Sequence, residues 1–402
     1  MIRELERLID EADRVLDGKI HRTPLDYSAT FSRMGKCSAY LKLENMQKTG
    51  SFKVRGALFK ITRNIEVARA RGVVAASSGN HAQGVAYSSS VMGVRATIVM
   101  PEVTPPFKVN ATKSYGANVV LHGRVYDESY ARALEISEQT GAMLVHPFND
   151  LEVMAGQGTI GLEILRQLPE VEEVVVPIGG GGLISGIATA LKSRKRGARV
   201  IGVEPKGDPK YRVSREKGEI VKIDPMPSLA DGVITKSVGD LTFEIMNEVV
   251  DDVVTVDEDS IARAIYLLME RTKLVVEGAG ALPLAALLEG RVGGNEKKTV
   301  LVLSGGNIDL TTLYRIILRG LSAEGRIAEI GVILKDSPGE LKRALEVISN
   351  NRGNILEIKH DRLGINIPPG YAKAELIVEL PSSDLEQKVK DELRAMGFQI
   401  IQ

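Results

Sequence analysis

Glu173-Val174-Val175-Val176-Pro177-Ile178-Gly179-Gly180-Gly181-Gly182-Leu183-Ile184-Ser185-Gly186 joins an apolar run to four consecutive glycines and then to the start of a helical pattern. Apolar residues without polar alternation suit a strand buried on both faces of a parallel sheet. Glycines let main-chain N–H groups converge, and a helix N-terminus adds partial positive charge, so the turn between strand and helix suits a phosphate. Val174 to Leu191 carries no charge, but five glycines and a proline interrupt it. A core strand and helix explain it better than a membrane span.

The same reading extends outward in both directions. Short apolar runs at Gly72 to Ala76, Ala96 to Met100, Asn118 to Leu121, Arg199 to Val203 and Thr299 to Leu303 alternate with helical patterns at His81 to Met92, Asp127 to Thr140, Leu183 to Arg194 and Ser260 to Glu270. An α/β layered fold with mostly parallel sheets follows. Glycine-containing turns directly after several strands place a ligand crevice at the strands' carboxyl ends. From Arg326 the pattern changes to strand (Ile327 to Leu334), helix (Glu340 to Asn350), strand (Asn354 to His360), strand (Ala372 to Leu380), helix (Asp384 to Met396) and a short last strand. That is a βαββαβ unit of ferredoxin-like size and a second module.

Composition excludes several classes of function. Basic and acidic residues both number 52, so no net field draws the chain to nucleic acid or to an anionic membrane. The charged, helically phased segment Met1 to Leu16 is neither a signal nor a transit peptide. Cys37 is the single cysteine, which rules out a disulfide within the chain and a thiolate zinc cluster and fits a cytoplasmic protein. His21, His81, His122, His146 and His360 are scattered, with no pair at helical ligand spacing, so no metal centre is expected.

Four clusters carry chemistry. The glycine run is one, and its phosphate ligand has two readings. A nucleoside triphosphate is disfavoured because no Lys followed by Ser or Thr comes after the glycines. A dinucleotide stays open, because Glu204 ends the next strand where a ribose-binding acid would stand, although no G-x-G-x-x-G fits. Lys53, in Thr49-Gly50-Ser51-Phe52-Lys53-Val54-Arg55-Gly56, follows a turn and opens an apolar helical stretch; a lysine that carries a cofactor must be desolvated enough to offer a neutral amine. Ser77-Ser78-Gly79-Asn80-His81 follows a strand and starts a helix, with N–H groups and hydroxyls suited to a carboxylate. Ser304-Gly305-Gly306-Asn307 places a hydroxyl at another strand's carboxyl end.

Together the clusters resemble the pyridoxal-phosphate enzymes of the tryptophan-synthase-like fold (fold type II), and the threonine/serine dehydratase branch in particular. The resemblance spans about residues 5 to 320: S-x-K-x-R-G, S-x-G-N-H, four glycines and S-G-G-N occur in that order, with Gly156-Gln157-Gly158-Thr159 and Glu277-Gly278-Ala279-Gly280-Ala281 as further matches. It implies a two-lobed catalytic region over 1–322, with a small lobe of about 45–145 inserted in the large one. It also implies that Lys53 carries the cofactor and takes the α-proton, that Phe52 packs beside the ring, and that Asn80 meets the 3'-oxygen. Gly179, Gly180, Gly181, Gly182 and Leu183 would hold the phosphate, Ser304 would face the pyridine nitrogen, and Ser77, Ser78, Gly79, Asn80 and His81 would receive the substrate carboxylate. The implied activity is conversion of L-threonine, and L-serine, to a 2-oxo acid and ammonia. A serine racemase, a hydroxyaspartate lyase and an inactive amino-acid-binding regulator are alternatives.

Two positions depart from the pattern. Ser78 stands where dehydratases often have Ala and serine racemases have Ser, which implies a second catalytic group and some racemisation. Racemase relatives bind a cation with the Glu of V-E-P and an Asp six residues on; here Glu204 is followed at that position by Lys210, with Asp208 nearby. No metal is therefore expected.

Residues 326–402 resemble a single ACT module, through Asp336-Ser337-Pro338-Gly339-Glu340-Leu341 and the element order. The resemblance implies an amino-acid effector such as isoleucine, bound by Asp336, Pro338, Gly339, Glu340, Leu341 and Asn354 in a paired arrangement. The expected partners are then a small amino-acid substrate, that effector and further copies of the chain in a homo-oligomer.

Overall fold

A computed structural model describes residues 1–401. It divides into two compact units, Met1–Ile308 and Asp309–Gln402. The helix Leu310–Ala323 falls in the second unit, whereas the sequence expectation carried the catalytic region on to residue 322.

The first unit contains two sheets. The larger runs, in spatial order, Leu25–Tyr27, Ser38–Leu43, Lys298–Leu303, Glu173–Pro177, Arg199–Pro205 and Asp252–Val256. Only the first pair is antiparallel. Between its second and third strands in sequence lies a smaller parallel sheet, ordered Asn118–Leu121, Ala96–Met100, Val73–Ala76 and Met143–Leu144. This is the two-lobed arrangement of the fold type II enzymes. Strand Glu173–Pro177 is buried at every position, as its unbroken apolar run requires. A right-handed crossover needs a helix after each parallel strand, and Asn80–Val91, Gly182–Arg194 and Lys210–Lys217 follow their strands directly.

Two central helices escaped the helical patterns. Leu151–Gln167 is buried along most of its length and packs against Gly182–Arg194 where Gly158 and Gly186 meet: a Cβ on Gly158 would lie 3.0 Å from the Gly186 carbonyl oxygen. Gly278–Leu288 contains Pro283 and is buried on all sides. The pattern Ser260 to Glu270 forms as Glu258–Leu267 and then a π-turn, Leu268–Thr272, which ends at Lys273 with φ +61°. No helix among the described residues is long and apolar enough to cross a membrane.

The second unit has strands Ile327–Lys335, Asn354–Asp361, Tyr371–Glu379 and Gln399–Ile401, with helices Glu340–Asn350 and Asp384–Ala395 completing the βαββαβ order. All its strand pairs are antiparallel. Ala328, Ile330, Val332 and Leu334 of the central strand pack with Ala344, Ile348, Val389 and Leu393 of the helices.

Candidate active site

A cavity of about 630 Å³ opens at the carboxyl ends of the strands in the first unit. Phe52, Lys53, the five residues Ser77 to His81, the five residues Gly179 to Leu183, and Ser304 all line it. The structure thus brings together every residue that the sequence assigns to catalysis, cofactor and substrate.

Lys53 is the first residue of helix Lys53–Arg63, and the chain just before it is tied to the Ser304 turn. Phe52 N donates to Ser304 O at 3.1 Å, and Ser51 forms a β-bridge with Gly305. The lysine's Nζ donates to Pro147 O at 2.7 Å and stands 5.1 Å from the Phe52 ring centre. Burial lowers the ammonium pKa to about 8, with the nearby Glu277 carboxylate opposing the shift. Two residues further on, Arg55 is locked in a buried ion network: its Nη2 meets Glu44 Oε1 at 2.7 Å, its Nη1 meets Glu163 Oε1 at 2.7 Å, and Lys42 Nζ holds the other Glu163 oxygen at 2.6 Å. The network fixes the helix that presents Lys53 against Leu151–Gln167, where Gly56 and Gly156 remove the side chains that would separate the backbones.

Glu277 joined the sequence reading only as part of a glycine-alanine match, yet it is a buried carboxyl in the cavity wall. Burial, aided by Asp231, raises it to about 7 against the hydrogen bond from Asn80. A charge-bearing residue inside the apolar stretch Val275 to Ala281 was the signal available in the sequence.

Glu277 also settles how Asn80 is turned. Asn307 Nδ2 donates to Thr49 O at 2.9 Å and to Asn80 Oδ1 at 2.7 Å. A main-chain carbonyl can only accept, so the Asn307 atom is nitrogen, the Asn80 atom facing it is oxygen, and Asn80 Nδ2 is left to donate to Glu277 Oε1 at 2.7 Å. The amide is held from both sides.

His81 lies in the cavity wall with its ring bonded to the main chain. Its Nε2 donates to Val145 O at 2.8 Å, its Nδ1 is buried without a hydrogen-bond partner among the described residues, and burial holds the ring neutral with a pKa of about 3. What this residue can offer a carboxylate is its main-chain N–H at the start of helix Asn80–Val91.

The four glycines are required by close packing. Gly181 has φ +96°, a Cβ on Gly180 would run into the Phe148 ring, and one on Gly182 would sit 2.9 Å from Phe148 Cα. Thr242 Oγ1 donates to Gly180 O at 2.7 Å, which leaves the turn's N–H groups and the first turn of helix Gly182–Arg194 for an anion. Phe148 is itself placed by His146, whose Nδ1 accepts from Phe148 N at 3.2 Å and Asn149 N at 2.9 Å. Neither residue was singled out in the sequence. Their signal is weak, because an aromatic ring after a two-residue strand has no motif around it.

Across the cavity Ser304, a residue only 2% exposed, forms part of the wall. A buried amine of lowered basicity, a glycine cradle at a helix N-terminus and a serine in the same cavity wall fit the aldehyde, phosphate and ring nitrogen of one cofactor. These features define an enzyme that carries a phosphorylated aldehyde on a lysine. The chain belongs to the pyridoxal-phosphate dependent enzyme family, whose model matches residues 16–305, and pyridoxal phosphate is its cofactor. It is 50% identical over 393 residues to an L-threonine ammonia-lyase of Geobacter sulfurreducens, covering 97% of both chains. It is 47% identical over 392 residues to an L-threonine ammonia-lyase of Thermotoga maritima, covering 98% of both. A catabolic L-threonine dehydratase of Escherichia coli K12 is 46% identical over 77% of this chain and 94% of its own. Among solved structures, maize serine racemase superposes with a TM-score of 0.74 at 36% identity over 79% of this chain and 98% of its own.

Asp336, Pro338, Gly339, Glu340 and Leu341 form the turn into helix Glu340–Asn350, with Gly339 at φ +97° and open space where a Cβ would stand. Asn354 is not brought to this turn within one chain. It pairs with Glu379, and Glu379 pairs with Ile327 at the start of the central strand, whereas the turn follows Lys335 at that strand's other end. Nine residues of strand, about 27 Å, separate them.

Proposed function

We propose that the protein deaminates L-threonine, and L-serine more weakly, releasing 2-oxobutanoate or pyruvate with ammonia. The observation that carries the reading is the meeting, in one cavity, of a buried lysine of lowered basicity with the N–H donors of Ser77 to His81. The likeness of nearly the whole chain to proteins named L-threonine ammonia-lyase supports threonine as the substrate.

Bound pyridoxal phosphate supplies an electron sink that acidifies the substrate's α-C–H and so lets the β-hydroxyl leave. The main-chain N–H groups of Gly179 to Leu183 would hold its phosphate, and Asn80, turned by Glu277 and Asn307, would meet its 3'-oxygen. Ser304 would stand toward the ring nitrogen with a hydroxyl, which, unlike a carboxylate, would supply no counter-charge there. Prompt loss of the β-group is thereby favoured over a long-lived carbanion. The Ser77 to His81 turn would bind the substrate carboxylate, and the Lys53 amine would take the α-proton. Water then hydrolyses the released enamine to the 2-oxo acid.

Ser78 supports a second, slower activity, proton return from the opposite face to give D-serine, and the likeness to a serine racemase structure agrees with it. In the second unit the open turn at Gly339 supports regulation by an amino acid such as isoleucine. Because Asn354 lies at the far end of the strand, a site using both needs two modules paired, and so a cytoplasmic homo-oligomer. The family model matches residues 16–305, within the first unit, so catalysis is assigned to that unit. The test is turnover of L-threonine, L-serine and D-serine by the purified protein and by Lys53→Ala. Wild type should form 2-oxobutanoate fastest and Lys53→Ala none; absence of 2-oxobutanoate from wild type, or near-normal turnover in the variant, sinks the reading.

A further inference from the structure

Outside the cavity, three ionisable side chains are fully buried together: Glu204 at the end of strand Arg199–Pro205, Asp208 in the loop after it, and Lys210 at the start of the next helix. Lys210 Nζ stands 2.6 Å from Asp208 Oδ2 and 3.9 Å from Glu204 Oε1. Glu204 also accepts from Tyr211 N at 2.8 Å and Arg212 N at 3.0 Å. Asp208 Oδ1 is buried with no hydrogen-bond partner among the described residues. Two carboxylates and one ammonium leave the cluster with more acceptor capacity than the protein fills.

The cluster reaches the active site through one contact. Thr235 N donates to Asp208 Oδ2 at 3.3 Å, and Thr235 belongs to Gly232–Ser237, a stretch of cavity wall. In the same stretch Val233 Cα would lie 3.1 Å from a Cβ on Gly179. Whatever holds Asp208 in place therefore holds the wall against which the phosphate turn packs.

Burial penalises a pair of carboxylates unless one of them holds a proton or a cation lies between them. Here burial raises the pKa of both Glu204 and Asp208, while the Lys210 ammonium opposes the shift. Among the described residues no three His, Cys, Asp or Glu side chains are grouped to hold a metal ion, and the ammonium of Lys210 already occupies the space between Asp208 and Glu204. We infer that Lys210 is a resident cation, a positioning residue whose ammonium does the work of a bound ion, and that truncating it opens a site for a small cation held by Asp208 and Glu204. Magnesium binds through one or two carboxylates and keeps its remaining waters, so the vacated volume suits it. Potassium and methylammonium match the charge that was lost. The role does not depend on which amino acid the cavity turns over.

The experiment compares holo wild type with Lys210→Ala at constant ionic strength in choline chloride, alone or with magnesium, potassium or methylammonium chloride. Pyridoxal-phosphate affinity, melting temperature and 2-oxo acid formation are read for each. In choline alone the variant should bind the cofactor more weakly and lose about 10- to 100-fold in turnover, the range for residues that support a cation site. At least one of the three cations should restore both along a saturable curve and raise the melting temperature, while wild type stays flat. Lys210→Arg, which keeps the charge, should respond less than Lys210→Ala. Wild-type cofactor affinity in Lys210→Ala without added cation overturns the inference, as does a folded, weakened variant that none of the cations restores. Equal stimulation of wild type overturns it too. If Lys210→Ala does not fold in choline, a cooperative melting transition gained with one of the cations supports the inference, and its absence with all three overturns it. Inactivity of wild type towards threonine would defeat the proposed function and leave the affinity and melting readouts intact.

Discussion

Lys53 and Glu277 sit in the same cavity with their acidities displaced toward one another, and each displacement has a measurable sign. Lys53 has its pKa lowered from 10.5 to about 8 by burial, so in the protein without cofactor its neutral amine becomes the major form only above that pH. Loading of cofactor-free protein should accelerate from pH 7 through about 8 and then level off; a rate flat between pH 7 and 9 would show that amine availability does not limit capture. Glu277 has its pKa raised from 4.5 to about 7. Its folded state holds the proton more tightly, so its contribution to stability is full below 4.5 and is lost as pH rises through 7. Glu277→Gln keeps an oxygen that accepts from Asn80 and removes the charge. Cofactor-free Glu277→Gln should therefore exceed wild type in unfolding free energy by about 1 to 3 kcal/mol at pH 8, with the gap closing by pH 5. A gap that ignores pH would show that the carboxyl is not the cause. Turnover in the same variant should fall, because Asn80 loses its charged partner.

Arg55 joins elements: the turn after strand Ser38–Leu43 through Glu44, and helix Leu151–Gln167 through Glu163 and Thr159. Removing one partner of a buried pair leaves the other charge uncompensated. Arg55→Ala should lose about 3 to 5 kcal/mol in urea unfolding, whereas Lys53→Ala should leave the midpoint little changed; a loss in Arg55→Ala below about 1 kcal/mol would mean that the network does not hold these elements. Legibility in the sequence also varies by element. Parallel strands such as Ala96–Met100 were readable because burial on both faces demands continuous apolar residues, and the glycine turns were readable because they follow such strands. The helix Leu151–Gln167 was not, because Gly156, Gly158 and Gly161 break its helical composition for the sake of close crossings. In Gly278–Leu288 an all-apolar surface erased the period. The same logic divides the site: Lys53, Asn80 and Ser304 lie in local motifs, while Phe148, His146 and Glu277 act through partners distant in sequence.

At the scale of the whole chain, the second unit is a ferredoxin-like module whose turn at Gly339 is open. Regulation by this unit requires an effector that binds unequally to two states, and substrate must then change effector affinity by the same factor. Titrating the full chain with single branched-chain amino acids should change the L-threonine concentration giving half-maximal rate about 5- to 150-fold, with a reciprocal change in effector affinity. If no amino acid binds or alters the rate, the unit serves assembly instead.

Strand Ser38–Leu43 lies between Leu25–Tyr27 and Lys298–Leu303, and Phe52 is tied to Ser304. During synthesis the ribosome must extend the chain past residue 304 before that strand gains its parallel neighbour and Lys53 its anchor. Until then one edge of Ser38–Leu43 stays unpaired, a non-local closure of the kind that slows folding and invites association between nascent chains. A chain interrupted before Leu303 can complete neither the large sheet nor the anchor of the Lys53 helix, and if Lys53 carries the cofactor as proposed, capture comes late in biogenesis.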